Sequence, residues 1–416
     1  MSPSPPPPTL RRYQTITLAL LFFAGVVNFF DRSSLAVANT TVRADLHLSG
    51  TEIGWLLSAF SLAYGLSQLP LIALLARTGT RSVLGSGLAL WSTAQLLTGF
   101  VPSLKPFLAL RVLLGIGESP FYPAGVQTVR EWFPPASRAR ATALMSSSQT
   151  IGLAIAPPVL TILILRIGWR AMFVLLGAAG LALSAAWFAL YRARDQTIHR
   201  EPHSTTTPAA STPWTHLLRR RTVWGMMLGF GGINYTNWLY TAWVPGYLQI
   251  ARHLSLARTG WIAAIPFLFG AAGMLGSGFF TDRLVRRNLP LNTIHRAFLV
   301  SGMALSAAST VVVARSSSTL TAVAGISMAL FFIHFAGTSG WGYAQSIGAP
   351  HHVASLSALQ NFAGFTIASA APILTGWLLD RTHSFTLSLL LCGAVTLLGA
   401  LSYATLAAPN TPREAT

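Results

Sequence analysis

The sequence predicts an all-α membrane protein of twelve transmembrane helices in two pseudo-symmetric six-helix bundles. Three observations carry this. Of 416 residues, 52% are apolar and only 9% charged, where soluble chains carry about 25% charged residues; mean hydropathy is +0.54. The apolar residues gather into twelve runs, each long enough to cross a bilayer at roughly 20 residues per span. A single polar stretch rich in Ser, Thr and Pro separates the sixth run from the seventh. A water-soluble enzyme, a fibrous repeat and a disulfide scaffold are excluded. The lone cysteine, Cys392, lies in an apolar run, so it makes no internal bridge and no Cys-based zinc or iron–sulfur site.

Taken in order, residues 1–14 read as a disordered cytoplasmic tail, its first ten residues too proline-rich for a helix. It has no charged region ahead of a short apolar core, so no signal peptide is expected. The N-terminal bundle covers 15–191, with spans at about 15–38, 52–75, 82–101, 105–129, 141–165 and 170–191. A cytoplasmic linker follows at 192–221. The C-terminal bundle covers 222–407, with spans at about 222–248, 258–281, 293–314, 319–342, 353–378 and 384–407, and 408–416 form a second cytoplasmic tail.

A net charge of +18 raises the question of nucleic acid. The basic residues sit in short clusters between apolar runs, which is how a membrane protein is oriented, so no nucleic-acid partner is expected. With both termini inside, 18 Lys and Arg fall on inner loops and 8 on outer ones. That ratio, with the compact chain, points to a bacterial inner membrane and cytoplasmic termini. No Gly-rich phosphate loop follows a strand, and no Ser-His-Asp set or metal cluster is legible. The expectations are therefore no enzyme activity, no cofactor, no metal and no ATP drive.

Four charged side chains fall inside spans: Asp31 and Arg32 in the first, Arg111 and Glu118 in the fourth. Each costs about 2.5–3.5 kcal/mol at mid-bilayer on insertion scales, and the two signs balance. Arg111 and Glu118 are seven residues apart, hence on one helix face and roughly 10 Å apart along the axis. That is too far for a direct salt bridge and suits a cavity. Asp31 and Arg32 diverge by about 100°, so one can face the cavity and the other a neighbouring helix. Two buried ion pairs tying the first span to the fourth are the structural reading; substrate and proton handling is the functional one, favoured because buried pairs are a weak route to stability. Beyond Glu118, Pro120 and Pro123 interrupt the helix, either as a packing kink or as the broken helix of a transport site.

The loops after the second and eighth spans echo each other. The second copy reads Gly278-Phe-Phe-Thr-Asp282-Arg283-Leu-Val-Arg286-Arg287, the first Arg77-Thr-Gly79-Thr-Arg81. This pattern resembles the signature loop of the major facilitator superfamily, and with span count and linker the resemblance covers nearly the whole chain. In that family the loop latches the outward-open state, which implies gating roles for Arg77, Gly79, Arg81, Asp282 and Arg283. Ile72 stands where the family has Gly and Ala76 where it has Asp, so the first copy lacks its acid.

A closer resemblance rests on Asn28-Phe-Phe-Asp31-Arg32-Ser-Ser-Leu, on Arg111-Val-Leu-Leu-Gly-Ile-Gly-Glu118-Ser-Pro-Phe-Tyr-Pro123, on Glu131-Trp-Phe-Pro134-Pro-Ala-Ser-Arg138 and on Gly168-Trp169-Arg170. These are similar to the anion:cation symporter branch, which includes bacterial galactonate, glucarate and hexuronate symporters. The resemblance implies that Arg32 grips a substrate carboxylate, that Asp31 and Glu118 take up protons, and that Arg111 pairs with Glu118 or Asp31 during the cycle. It further implies substrate contacts at Tyr64, Gln149, Trp341, Thr338, Asn361 and Gln360, with Tyr240 and Trp243 nearby. Sugar-acid carriers often have Tyr two residues before the first acid; here that residue is Phe29, which removes a hydrogen bond to a polyol.

The residue types suit those roles. Arg presents a planar fork and stays charged, and a carboxylic acid out of water exchanges its proton nearer neutrality. For Tyr64, Gln149 and Asn361 plain interhelical hydrogen bonds, about 0.6 kcal/mol each, explain the residues equally well. Tyr240 and Trp243 equally suit an interfacial aromatic belt. His334 reads as a packing residue before a proton relay, and Gly270, Gly273, Gly276 and Gly278 as close helix approach.

The expected function is proton-coupled uptake of a small organic anion, a sugar acid first, by a monomer in the bilayer. Two alternatives stand beside it. Gly152-x-x-x-Ala156-Pro157 hints at a proton-coupled exporter of drugs or metabolites, and a non-transporting sensor on the same fold is the third reading. Sodium fits the sequence as a coupling ion as well as protons do.

Overall fold

The computed structural model describes residues 8–192, 217–347 and 353–407. Most of the expected linker, 193–216, and the tail from 408 lie outside the described residues. Among the described residues there are twelve helices and no strand: α1 Pro8–Leu46, α2 Gly50–Thr98, α3 Leu104–Glu118, α4 Phe121–Trp132, α5 Pro135–Leu190, α6 Arg221–Ile250, α7 Leu256–Val285, α8 Leu291–Arg315, α9 Thr319–Ser346, α10 Val353–Ala368, α11 Ala370–Thr382 and α12 Thr386–Thr405. They do not correspond one to one with spans. The 56 residues of α5 would reach about 84 Å at 1.5 Å per residue, far beyond a ~30 Å hydrocarbon core.

Two glycines fold these long helices back. Gly168 in α5 has φ 80° and ψ 162°, and Gly79 in α2 has φ 75° and ψ 168°. That backbone region is essentially open to glycine alone. Each glycine therefore turns one helical run into two spans, with no separate loop. Conversely, α3 and α4 together form one span, as do α10 and α11. The twelve expected crossings are recovered on this count.

The proline-driven break between α3 and α4 is compensated locally. Pro120 has no N–H to give the Ile116 carbonyl, and the Ser119 hydroxyl donates there instead at 2.8 Å. The Ser119 N–H still reaches the Gly115 carbonyl at 3.2 Å. At the other end of the chain the proline argument needs correction. Helix α1 begins at Pro8, not near residue 15, because proline is well tolerated in a first turn whose N–H groups have no partner anyway.

The chain divides into two compact units, one of residues 1–47 and 62–203, the other of 48–61 and 204–416. In the first, α1 packs along α5, and Trp91, Phe107, Phe173 and Trp187 fill the interior. Arg170 staples one end: it donates to the Val101 carbonyl at 2.8 Å, pairs with Asp45 at 2.8 Å and lies over Trp169. In the second, α9 packs on α7 and α8, and α6 on α10 and α12. Large apolar side chains such as Leu275, Leu320 and Leu398 are exposed, as on a surface facing lipid. Seven helical stretches among the described residues meet both the length and the hydropathy of a membrane span, α5 among them.

Candidate functional site

The four charges inside the spans converge in the first unit. Asp31 and Glu118 are fully buried and Arg111 is 2% exposed. Arg32 donates from Nε to Glu118 Oε2 at 2.7 Å, its side chain 13% exposed. Its guanidinium lies between two rings, 5.1 Å from the Phe29 centroid and 4.7 Å from that of Tyr64. The cation is thus held by a charge-assisted bond at one edge and by π faces. Arg111 and Asp31 are close enough to Glu118 to interact with it electrostatically.

Neighbouring helices fix this arrangement. The Ser34 hydroxyl donates to the Asp31 carbonyl at 2.7 Å, and the Gln95 amide donates to Ser34 Oγ at 3.1 Å. Phe29 is seated by Gly152 of α5: a Cβ there would lie 2.6 Å from the Phe29 Cβ. Close approach of α1 to α5 under the Arg32 stack therefore accounts for Gly152, which the sequence offered as an exporter hint. The Trp91 indole and the Asn28 amide face Asp31 and Glu118 without closing hydrogen bonds of normal geometry. Both Asp31 oxygens are likewise buried without a hydrogen bond. A carboxylate so stripped of water is costly unless it is paired or protonated. Sequence reading noted Asn28 only as part of a motif and passed over Trp91, since a lone Asn or Trp in an apolar run carries no charge signal.

A family model described as the Major Facilitator Superfamily matches residues 21–371. The chain belongs to the Major Facilitator Superfamily. Members are transporters, so the chain is a multi-pass membrane transporter and not an enzyme. It is 48% identical over 404 residues to the probable L-galactonate transporter of Escherichia coli (strain K12), covering 95% of this chain and 89% of that one. It is 31% identical over 418 residues to the probable galactarate/D-glucarate transporter GarP of the same organism, covering 93% of each. Among solved structures, a bacterial homolog of the human lysosomal transporter Spinster in an inward-facing, unoccupied conformation superposes with TM-score 0.83. That match has 17% identity and covers 95% of this chain and 97% of the other, so it bears on the fold alone.

The signature-loop residues of this major facilitator are placed as follows. Arg77, Asp282 and Arg283 are exposed, and Asp282 forms no ion pair among the described residues. Gly79 makes the turn. Arg81 donates to the Phe188 carbonyl at 2.6 Å and receives the Trp187 indole N–H on its own carbonyl at 3.0 Å. The first copy lacks its acid, and a carboxylate from elsewhere serves the loop. Glu131 of α4 accepts from the Thr80 hydroxyl at 2.9 Å and from Tyr191 at 3.1 Å. Glu131 stands in a motif already noted in the sequence, but nothing in the spacing gave its partners.

The remaining expected site residues are spread between the units. Tyr64 joins Arg32 in the first unit, and Gln149 is half-buried on α5. Trp341 and Thr338 on α9, and Gln360 and Asn361 on α10, belong to the second. Trp341 is 41% exposed and packs edge-on against Phe230 at 5.3 Å. Thr338 bonds back to the His334 carbonyl at 3.0 Å. Gln360 is fully buried with both amide atoms lacking a hydrogen bond. Tyr240 and Trp243 are buried, not at an interfacial belt: Tyr240 donates to Thr310 at 2.9 Å and Trp243 to the Pro372 carbonyl at 3.3 Å. His334 packs at Gly270, in keeping with the packing reading.

Proposed function

We infer that the chain imports a sugar acid together with protons across a bacterial inner membrane, with both termini cytoplasmic. The observation that carries this is the buried Arg32–Glu118 pair beside Asp31 and Arg111. An exporter of apolar compounds has no use for a sequestered guanidinium, whereas a carboxylate substrate needs one. The names of the two relatives, one an L-galactonate and one a galactarate/D-glucarate transporter, support an aldonate or aldarate, with hexuronates in the same chemical class.

The mechanism follows from competition for one cation. With Glu118 ionised, its carboxylate occupies Arg32. A proton delivered to Glu118 removes that competitor, and the incoming carboxylate takes the guanidinium in its place. Asp31, buried without a donor, takes a second proton, and Arg111 compensates whichever acid is charged. On the cytoplasmic side the higher pH withdraws the protons, Glu118 recaptures Arg32, and the substrate leaves. Rocking of the two bundles exposes the site to each side in turn. One chain carries both bundles, so no second subunit is needed. Purified protein in liposomes, acidic outside, is expected to accumulate one member of a panel of aldonates, aldarates and hexuronates, and to lose the accumulation with a protonophore. Efflux of a cationic dye with no anion uptake would replace this reading with the exporter.

A further inference from the structure

The outer face of the first unit carries a hollow that the transport reading does not use. It is a groove of about 320 Å³ near the starts of α1 and α5, lined by Thr15, Leu18, Ala19, Phe22 and Phe23 from α1 and by Leu144 from α5. The five α1 residues recur at i, i+3, i+4, i+7 and i+8, one stripe of a helix. Phe23 is 58% exposed and Leu144 47%, and Ala19, short among long neighbours, leaves the hollow open. Of these side chains only Thr15 has a polar atom, and its hydroxyl already donates to the Arg11 carbonyl at 3.0 Å. The groove therefore offers its occupant a hydrocarbon wall.

The same stripe ends in charge. Arg11 and Arg12 are exposed and precede Thr15 by four and three residues, so they continue the stripe toward the start of the helix. Tyr13 and Gln14 fix that rotation by facing the other way. The Gln14 amide donates to the Trp132 carbonyl at 2.8 Å, and the Tyr13 ring centroid lies 6.0 Å from that of Trp132. On α5, Arg140 is exposed and stands one turn before Leu144. The two helices run parallel here, since a Cβ on Gly25 would meet Ser148 and one on Gly152 would meet Phe29. That register places Arg140 within about two turns of Arg11 and Arg12 along the axis. None of the three arginines forms an ion pair among the described residues, and the first turn of α1 contains no acid. Two cations there add to the positive end of the helix dipole, and an anion would offset both.

We propose that this groove binds one anionic phospholipid of the inner leaflet, an acyl chain lying along Leu18, Phe22 and Leu144 and the phosphate held by Arg11, Arg12 and Arg140. Charge complementarity selects the occupant. A neutral lipid, or an apolar helix of a second copy, would fill the hollow but leave three guanidinium groups without a counter-charge. Arginine lays its stem on apolar surface and carries its head out to the headgroup level, and a guanidinium takes a phosphate through two parallel hydrogen bonds. The cytoplasmic leaflet is the one rich in anionic headgroups. A lipid seated there bridges α1 and α5, the helix pair that holds Phe29 under Arg32. The choice of leaflet rests on the proposed topology; the inference uses neither the substrate nor the coupling ion.

Native mass spectrometry of the full chain in detergent, titrated with phosphatidylglycerol and separately with phosphatidylcholine, tests it without transport. The first phosphatidylglycerol is expected to bind more tightly than the first phosphatidylcholine. Each arginine removed should weaken it about fivefold, and Arg11→Gln with Arg12→Gln together about 25-fold. Ala19→Phe keeps all three charges and fills the hollow from an exposed position. It should weaken the same lipid about tenfold, the effect of uncovering roughly two methylenes. Arg219→Gln with Arg221→Gln, an equal loss of charge at the start of α6, should leave the first binding event unchanged. Equal binding of the two lipids would overturn the proposal, as would parent affinity in the Arg11 and Arg12 double variant. Parent affinity in Ala19→Phe would show that the charges act without the groove and would overturn it too. A dimer that Ala19→Phe dissolves, in place of a lipid adduct, would give the groove to a second copy. None of these results bears on anion uptake, so the transport reading stands or falls separately.

Discussion

Arg32 is where the sequence and the chemistry meet most directly. Its charge was legible because a guanidinium inside an apolar run is costly and stands out. So were Asp31, Arg111 and Glu118, for the same reason. Which acid holds Arg32 was not legible, because helical spacing orders residues on one helix and says nothing of how α1 is turned toward α3. Trp91 and Phe230 escaped notice because ordinary aromatic residues abound in membrane spans. The stack between Phe29 and Tyr64 makes a prediction at this scale. Arg32→Lys keeps the charge and loses the planar face and the Nε contact. Cation–π contacts of this kind run about 0.5–2 kcal/mol, so the apparent KM for the transported anion should rise about tenfold. Uptake kinetics in liposomes measure it, and an unchanged KM would show that the ring sandwich does not shape the anion site.

At the scale of the helix, small residues decide how closely elements approach and where they turn. Periodicity and length gave the spans well. The tight reversals at Gly79 and Gly168 came out as helix-to-helix turns in place of loops, because a single glycine with φ near 80° replaces the several residues a loop would need. The start of α1 was misplaced because proline composition was weighed without its tolerance in a first turn. Gly152→Ala should cost about 1–3 kcal/mol, since the added methyl meets the Phe29 Cβ, an atom tied to the α1 backbone that no rotamer change can move. Gly278→Ala, where a Cβ meets nothing within 4 Å, should leave the melting temperature unchanged. Thermal unfolding in detergent compares the two. Equal melting temperatures would mean that the α1–α5 seam is looser than its geometry implies.

For the whole molecule, the four charges Asp31, Arg32, Arg111 and Glu118, gathered in the first unit, carry the transport reading. Coupling is the central claim: one acid, Glu118, competes with the substrate for one guanidinium, so a proton gradient becomes an anion gradient. The most direct test is Glu118→Gln in liposomes, assayed once for exchange of anion across equal pH and once for accumulation against an imposed pH difference. The neutral amide cannot recapture Arg32 as an ion pair or return a proton. Exchange should therefore persist while pH-driven accumulation is lost. Accumulation at the parent level in Glu118→Gln would contradict the account and move the coupling proton to another residue.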